Sequence, residues 1–198
     1  MHTVGSILEA CIRVLSEGGL ERFTTTRVAE RAGVSVGSLY QYFPNKQSLL
    51  AAVLERHLTH VVESIELACS SSKAATTDAM AHALVDAFLT AKLKDPETSA
   101  SLYAVAAEIG GAAIVTRLSQ RARRAVRSML ATASDRRVPD SEEVSSLVLG
   151  ALVGPVQLLL AAKASRRKAP LLQEHLIAMV SAYLHRISTA VGHTGQAS

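Results

Sequence analysis

Several residue types are scarce in this chain of 198 residues, and each scarcity excludes a class of protein. Tryptophan is absent, aromatic residues make up only 4% of the chain, and no long run alternates β-branched with polar residues, so we expect no sheet. The two cysteines, Cys11 and Cys69, lie far apart without a C-x-x-C spacing. That pattern predicts two buried thiols, with no zinc, redox or other cofactor site.

A membrane span and a secretory leader are also missing from the pattern. The most apolar stretch, residues 147–164, is interrupted by five residues: Gly150, Gly154, Pro155, Gln157 and Lys163. It is therefore shorter and more polar than the roughly 20 apolar residues that span a bilayer. The first residues lack a basic segment followed by an apolar core and a cleavage site. We expect a cytoplasmic protein without a membrane partner, in which 147–164 is a buried core helix.

The composition that remains is that of a helical globular protein. Apolar residues make up 48% of the chain and recur at helical spacing almost throughout, which predicts an all-α fold of about nine helices. These are expected at 6–16, 25–32, 36–42, 46–69, 77–94, 98–109, 112–134, 140–164 and 170–191. Residues 166–168 form a basic break, and 192–198 are expected to be a disordered tail. The net charge of +4 permits an acidic partner such as nucleic acid without identifying one.

The second and third predicted helices are short and lie close together in the sequence. Thr24 and Ser35 are suitable N-caps for them, and Gly33 ends the second helix. In the third helix, a step of about 100° per residue places Leu39 and Phe43 on one face. An apolar face of this kind packs against the preceding helices and leaves the opposite face free.

The free face of the third helix carries groups that read DNA bases. Gln41 can pair with N6 and N7 of adenine, Val36 can contact a thymine methyl group, and Ser38 can bond to either kind of base edge. Gly37 allows the backbone to approach DNA closely. This composition predicts a surface that reads the major groove.

Polar groups around this face are placed to contact phosphates. Hydroxyl groups and an ammonium flank the third helix, and the amides at the start of the second helix favour anions. The remaining predicted DNA-binding residues are Thr24, Thr25, Arg27, Ser35, Tyr40, Tyr42 and Lys46.

The segment Phe23-Thr24-Thr25-Thr26-Arg27-Val28-Ala29-Glu30-Arg31-Ala32-Gly33-Val34-Ser35-Val36-Gly37-Ser38-Leu39-Tyr40-Gln41-Tyr42-Phe43-Pro44-Asn45-Lys46 resembles the DNA-binding signature of TetR-type bacterial transcriptional regulators. The resemblance implies a helix-turn-helix DNA-binding domain at 1–46 and a helical ligand-binding and dimerisation domain at 47–198. It also implies a homodimer held by its last two helices, and a repressor that a small-molecule effector releases from an operator in double-stranded DNA.

Candidate residues for the two other functions come from the body of the chain. Ligand-binding candidates combine apolar and polar character in the middle helices: Met80, Phe88, Tyr103 and Glu108. Dimer candidates come from the leucine-rich helices at the end, where a single chain has too much apolar surface to bury: Leu152, Val156, Leu159, Leu176, Met179, Val180 and Tyr183.

Alternative interpretations concern catalysis, adaptor function and metal binding. The chain has no nucleophile elbow, phosphate-binding glycine loop or H-E-x-x-H motif, so we expect no enzyme. A helical adaptor with nonspecific DNA affinity is a further alternative. His57, His60 and Glu63 share a spacing of three, but two helical turns rarely form a metal site alone. Five arginines between Arg117 and Arg127 spread around their helix, which favours a solvated face over a second basic patch.

Overall fold

The computed structural model describes residues 2–162 and 165–191, and these residues are almost entirely helical. The predicted all-α class is confirmed. The helices of the described part are α1 His2–Gly18, α2 Thr25–Ala32, α3 Val36–Tyr42, α4 Lys46–Ser71, α5 Thr77–Leu93, α6 Pro96–Glu108, α7 Ala112–Leu130, α8 Glu142–Ala161 and α9 Ser165–Ile187. The predicted tail at 192–198 lies outside the described residues.

Two prolines lie inside helices, and one of them, Pro170, is expected from the sequence to open its helix. Pro155 falls within α8, and Pro170 falls within the first two turns of α9, which begins at Ser165. The predicted break at 166–168 is therefore wrong, because Arg167 and Lys168 belong to α9. Both helices continue past their proline, although a proline removes one backbone hydrogen bond and its ring crowds the carbonyl four residues earlier.

A short pair of strands departs from the all-helical expectation. Strand β1, Arg136–Arg137, pairs in antiparallel register with β2, Thr189–Ala190, so that Arg136 lies opposite Ala190. Strands of two residues are too short to show the alternation that identifies a strand in a sequence. The segment between α7 and α8 is thus joined to the end of α9.

The chain forms two compact units. The head unit comprises Met1–His60 and Leu93–Leu118, and the body unit comprises Val61–Lys92 and Ser119–Ser198. The core of the head unit draws apolar side chains from α1, α2, α3, α4 and α6. In this unit α6 packs against α1, and the hydroxyl oxygens of Ser16 and Thr98 lie 2.8 Å apart. Each unit contains one cysteine, and burial raises the pKa of Cys11 and of Cys69 to about 12.

Helix α8 lies within the predicted range 140–164 and is more apolar than its interruptions suggest. It is 20 residues long with a mean hydropathy of 2.0, so by length and composition it is sufficient to cross a membrane, contrary to the expectation from its interruptions. The glycines and Pro155 do not end the helix. One of its faces is buried through Val144, Val148, Leu152 and Val156, as in a core helix.

The packing of α8 against α9 bears on the predicted dimer residues, whose role in a dimer stays a prediction. Five of the seven candidates are buried within the single chain: Leu152, Val156, Leu159, Leu176 and Val180. Met179 is exposed and Tyr183 is half-buried. A helix that is apolar all round does not reveal in its sequence which face packs inside the chain. The large apolar side chains that remain exposed on these helices are Leu147, Val153, Leu158, Leu171 and Met179.

Candidate nucleic-acid interface

Helices α2 and α3 are fixed at their ends by local hydrogen bonds. The hydroxyl of Thr24 accepts a hydrogen bond from the backbone N–H of Arg27 at 3.3 Å, and Ser35 accepts one from Ser38 at 3.0 Å. Between the helices, Gly33 adopts φ 69°, a left-handed conformation that glycine reaches without strain. The two helices and their tight turn form a helix-turn-helix.

The faces of α3 are arranged as the sequence predicts. Leu39 is fully buried and Phe43 is nearly so, which fixes α3 on the head core. Gly37 and Gln41 are exposed on the opposite side. The face bearing Gln41 is therefore open to a partner, while its contact with DNA stays a prediction.

The face of α3 predicted to read DNA, here called the reading face, consists of Val36, Gly37, Ser38 and Gln41. Two of these residues contact other groups of the chain. Val36 packs partly against the head core. The hydroxyl oxygen of Ser38 lies 2.8 Å from that of Ser35. One hydrogen bond of Ser38 is thus committed to the helix cap, which leaves Gln41 as the side chain of this face best able to read a base.

Tyrosine hydroxyls lie beside the reading face. Tyr40 and Tyr42 are 43% and 50% exposed, unusually high for aromatic side chains in a small head. The hydroxyl oxygen of Tyr40 lies 3.0 Å from Oγ1 of Thr25 and so connects α3 to the first turn of α2. These hydroxyl groups and the N-terminal amides of α2 form a polar surface suited to phosphate oxygens.

Lys46 and Arg27, the two cationic residues predicted to bind DNA, contact neighbouring groups of the chain. The ammonium of Lys46 lies 5.6 Å from the centroid of the Phe23 ring, within the range of a cation–π interaction. Arg27 donates to the backbone carbonyl of Arg22 at 3.0 Å. An ion pair between Glu17 and Arg31 joins α1 to α2. These contacts have no signal in the sequence, because they depend on how the loop after α1 folds back.

The predicted ligand-binding residues fall in different units. Met80 and Phe88 are buried on α5 in the body unit. Tyr103 is half-buried and Glu108 is exposed on α6, in the head unit. Burial raises the pKa of Tyr103. The exposure of Glu108 removes the reason for placing it in an enclosed cavity, since such sites bury most of their ligand.

Most of the arginines of α7 are neutralised by neighbouring carboxylates. Arg117 donates to Glu55 at 2.8 Å, and Arg121 binds Glu66 through two hydrogen bonds of 2.6 Å. Arg123 pairs with Glu142, and Arg127 with Asp140. This pairing agrees with a solvated face and does not favour a second basic patch. Within the described residues, no group of three or more histidine, cysteine, aspartate or glutamate side chains is arranged to hold a metal ion.

The helix-turn-helix on a helical body defines a DNA-binding transcriptional regulator, and comparisons identify its family. The family model for bacterial regulatory proteins of the tetR family matches residues 7–53. The model for the tetracyclin repressor-like C-terminal domain matches residues 76–184, more than half of the chain. The chain belongs to the TetR family, which confirms the resemblance seen in its sequence.

Curated relatives match this chain over short stretches. The repressor KstR of Mycolicibacterium smegmatis is 46% identical over 55 residues, which are 28% of this chain and 27% of that protein. The regulator YvdT of Bacillus subtilis is 38% identical over 60 residues, 30% and 31% of the two chains. The matches thus span about a third or less of these curated relatives.

Solved structures share the fold over nearly the whole chain. A TetR-family transcriptional regulator from Mesorhizobium loti has a TM-score of 0.74 at 20% identity, covering 93% of this chain and 96% of its own. FadR from Bacillus subtilis, solved in complex with stearoyl-CoA, has a TM-score of 0.70 at 15% identity, covering 90% and 97%. At these identities the similarity shows the fold alone.

Proposed function

We propose that the protein is a homodimeric repressor that binds a palindromic operator and is released by a small-molecule effector. The observation that carries this proposal is the exposed face of α3, whose Gln41 is free to face a base edge while Leu39 anchors the helix. A dimer with two such helices about 34 Å apart would match successive major grooves. A cytoplasmic location, with access to the chromosome, belongs to the same proposal.

Exposed apolar residues on α8 support the dimer. Leu147 and Leu158 are 57% and 74% exposed and are separated by eleven residues, so both lie on the same stripe of the helix. Gly150 and Gly154 lie near that stripe, and among the described residues a Cβ atom at either position would meet nothing within 4 Å beyond the adjacent backbone of its own helix. Large exposed apolar side chains beside bare backbone favour close packing with the same helix of a second copy.

Selection of bound duplexes from a random library, followed by fluorescence anisotropy at a stated salt concentration, tests DNA recognition. Replacing Gln41 by Ala should cost about 1–3 kcal/mol of specific binding and leave nonspecific binding unchanged. Gln120 is an exposed glutamine on α7, and Gln120→Ala serves as the matched control. Equal affinity of the wild type for selected and random duplexes would contradict the proposal and favour a helical adaptor with nonspecific affinity.

A further inference from the structure

One charged side chain lies inside the body unit. Lys92, near the C-terminal end of α5, is 5% exposed, and no other charged residue among the described side chains is buried. Lys92 has an interaction within the chain. Burial of a charge costs several kcal/mol even when it is partnered, so its retention inside an apolar body calls for a further reason.

Lys92 ends an apolar stripe that runs along α5. Ala81, Val85 and Phe88 are buried, and with Lys92 they occupy successive positions on one side of the helix. At 1.5 Å per residue, the stripe is about 16 Å long. This side of α5 is therefore an extended aliphatic and aromatic stripe, packed inside the body unit, with a single cation at its end.

We propose that this stripe binds a long-chain aliphatic carboxylate as the effector, with the carboxylate paired to Lys92 and the alkyl chain lying along Phe88, Val85 and Ala81. The proposal rests on the effector-responsive function proposed above and specifies its ligand. A compact carboxylate matches a buried ammonium, because an ion pair in a dry interior is stable only when both charges are closely matched. To admit the alkyl chain, α5 must move away from the helices packed against it. A ligand that binds only this open conformation shifts the population towards it.

The test uses the full-length protein and hexadecanoate as the probe, with binding measured by isothermal titration calorimetry. The wild type should bind hexadecanoate, and Lys92→Met should bind it at least tenfold more weakly. The neutral methyl ester should bind both proteins alike and more weakly than hexadecanoate binds the wild type. Lys94 lies two residues further on and is exposed, so Lys94→Met is the matched control and should bind hexadecanoate as the wild type does.

Three results would overturn the assignment. One is no binding of hexadecanoate by the wild type. Another is equal binding by Lys92→Met, which would leave Lys92 a purely structural role. The third is strong binding of stearoyl-CoA without binding of the free acid, which would replace the carboxylate with a thioester. If Lys92→Met does not fold, Lys92→Gln takes its place.

DNA binding separates a failure of this inference from a failure of the proposed repressor. Anisotropy without hexadecanoate measures operator recognition alone. Adding hexadecanoate should release the wild type from the selected duplex and leave Lys92→Met bound. Specific DNA binding that hexadecanoate does not change would overturn the ligand assignment while leaving the DNA-binding function intact.

Discussion

Asp135 holds the start of helix α5 through both oxygens of its carboxylate. The backbone N–H of Thr77 donates to Oδ1 at 2.8 Å, and the hydroxyl of Thr77 donates to Oδ2 at 2.9 Å. The next residue, Arg136, donates to the hydroxyl of Ser188 at 2.7 Å and to the backbone carbonyl of His185 at 3.1 Å. Two adjacent residues therefore join the beginning of α5 to the end of α9.

Replacing Asp135 by Ala should destabilise the body unit by about 1–2 kcal/mol, because the buried N–H of Thr77 loses its acceptor. Urea unfolding at pH 7 measures this loss. Asp140→Ala, which removes an exposed partner of Arg127, is the control and should have little effect. A loss for Asp140→Ala as large as that for Asp135→Ala would refute the capping role.

Acid should abolish the difference in unfolding free energy between the wild type and Asp135→Ala. Partial burial acts to raise the pKa of Asp135, but the hydrogen bonds from Thr77 and the charge of Arg136 outweigh it, so the pKa lies below its ordinary value. The folded state therefore favours the ionised carboxylate, and this stabilisation is complete above about pH 4 and is lost as the pH falls further. A difference in unfolding free energy that persists unchanged at pH 2–3 would show that the charge is not involved.

Replacing Gly37 by Ala should have opposite effects on folding and on DNA binding. Gly37 lies inside α3 with an ordinary backbone conformation, and an added Cβ atom would meet only Oγ of Ser35, at 3.8 Å. Alanine should therefore stabilise the head by up to about 1 kcal/mol. The same methyl group stands on the reading face and should weaken specific DNA binding by about 1–3 kcal/mol, the cost of a lost base contact.

Gly33→Ala provides the contrast, since φ at that position is +69° and alanine there should cost about 1 kcal/mol of stability. Thermal unfolding and anisotropy on the selected duplex measure the two effects. Unchanged DNA affinity in Gly37→Ala would remove Gly37 from the reading face.

The sequence predicts the helix-turn-helix well because its determinants are local. Thr24, Gly33 and Ser35 each act within a few residues of their own position, and the burial of Leu39 follows from the period of α3. The pairing of Arg136 with Ala190 joins positions 54 residues apart, and no local pattern announces it. The burial of Lys92 likewise depends on what surrounds α5, which spacing along the helix does not encode.

Helix α8 provides a test of how its apolar faces are divided. Leu158 is 74% exposed, whereas Leu152 is fully buried. Leu158→Glu should weaken the free energy of association of the proposed dimer by about 2 kcal/mol or more, since it places a charge in the interface. Leu152→Ala should instead cost about 2–5 kcal/mol of folding stability through the cavity it leaves.

Analytical ultracentrifugation and thermal unfolding, performed at equal protomer concentration, separate the two effects on α8. A Leu158→Glu variant that sediments as the wild type does would exclude this stripe of α8 from the interface.

The burial of Lys92 should appear as a dependence of stability on alkaline pH. Burial lowers its pKa to about 8 from 10.5, so between these values the unfolded chain holds more protons than the folded one. The penalty for the buried charge is therefore full below pH 8 and is relieved as the pH rises towards 10.5. Lys92→Met removes this penalty. The free energy of unfolding of the variant, relative to that of the wild type, should therefore be about 2–3 kcal/mol larger at pH 7 than at pH 10.

The two buried thiols oppose this trend in both proteins. Because burial raises the pKa of Cys11 and of Cys69 to about 12, their stabilising effect is present below pH 9 and is lost as the pH rises from 9 to 12. The contribution is common to the wild type and to Lys92→Met, and it cancels in the difference between their unfolding free energies. Lys94→Met should show no such pH-dependent difference from the wild type. A difference between the wild type and Lys92→Met that is the same at pH 7 and pH 10 would mean that Lys92 is solvated in the folded protein.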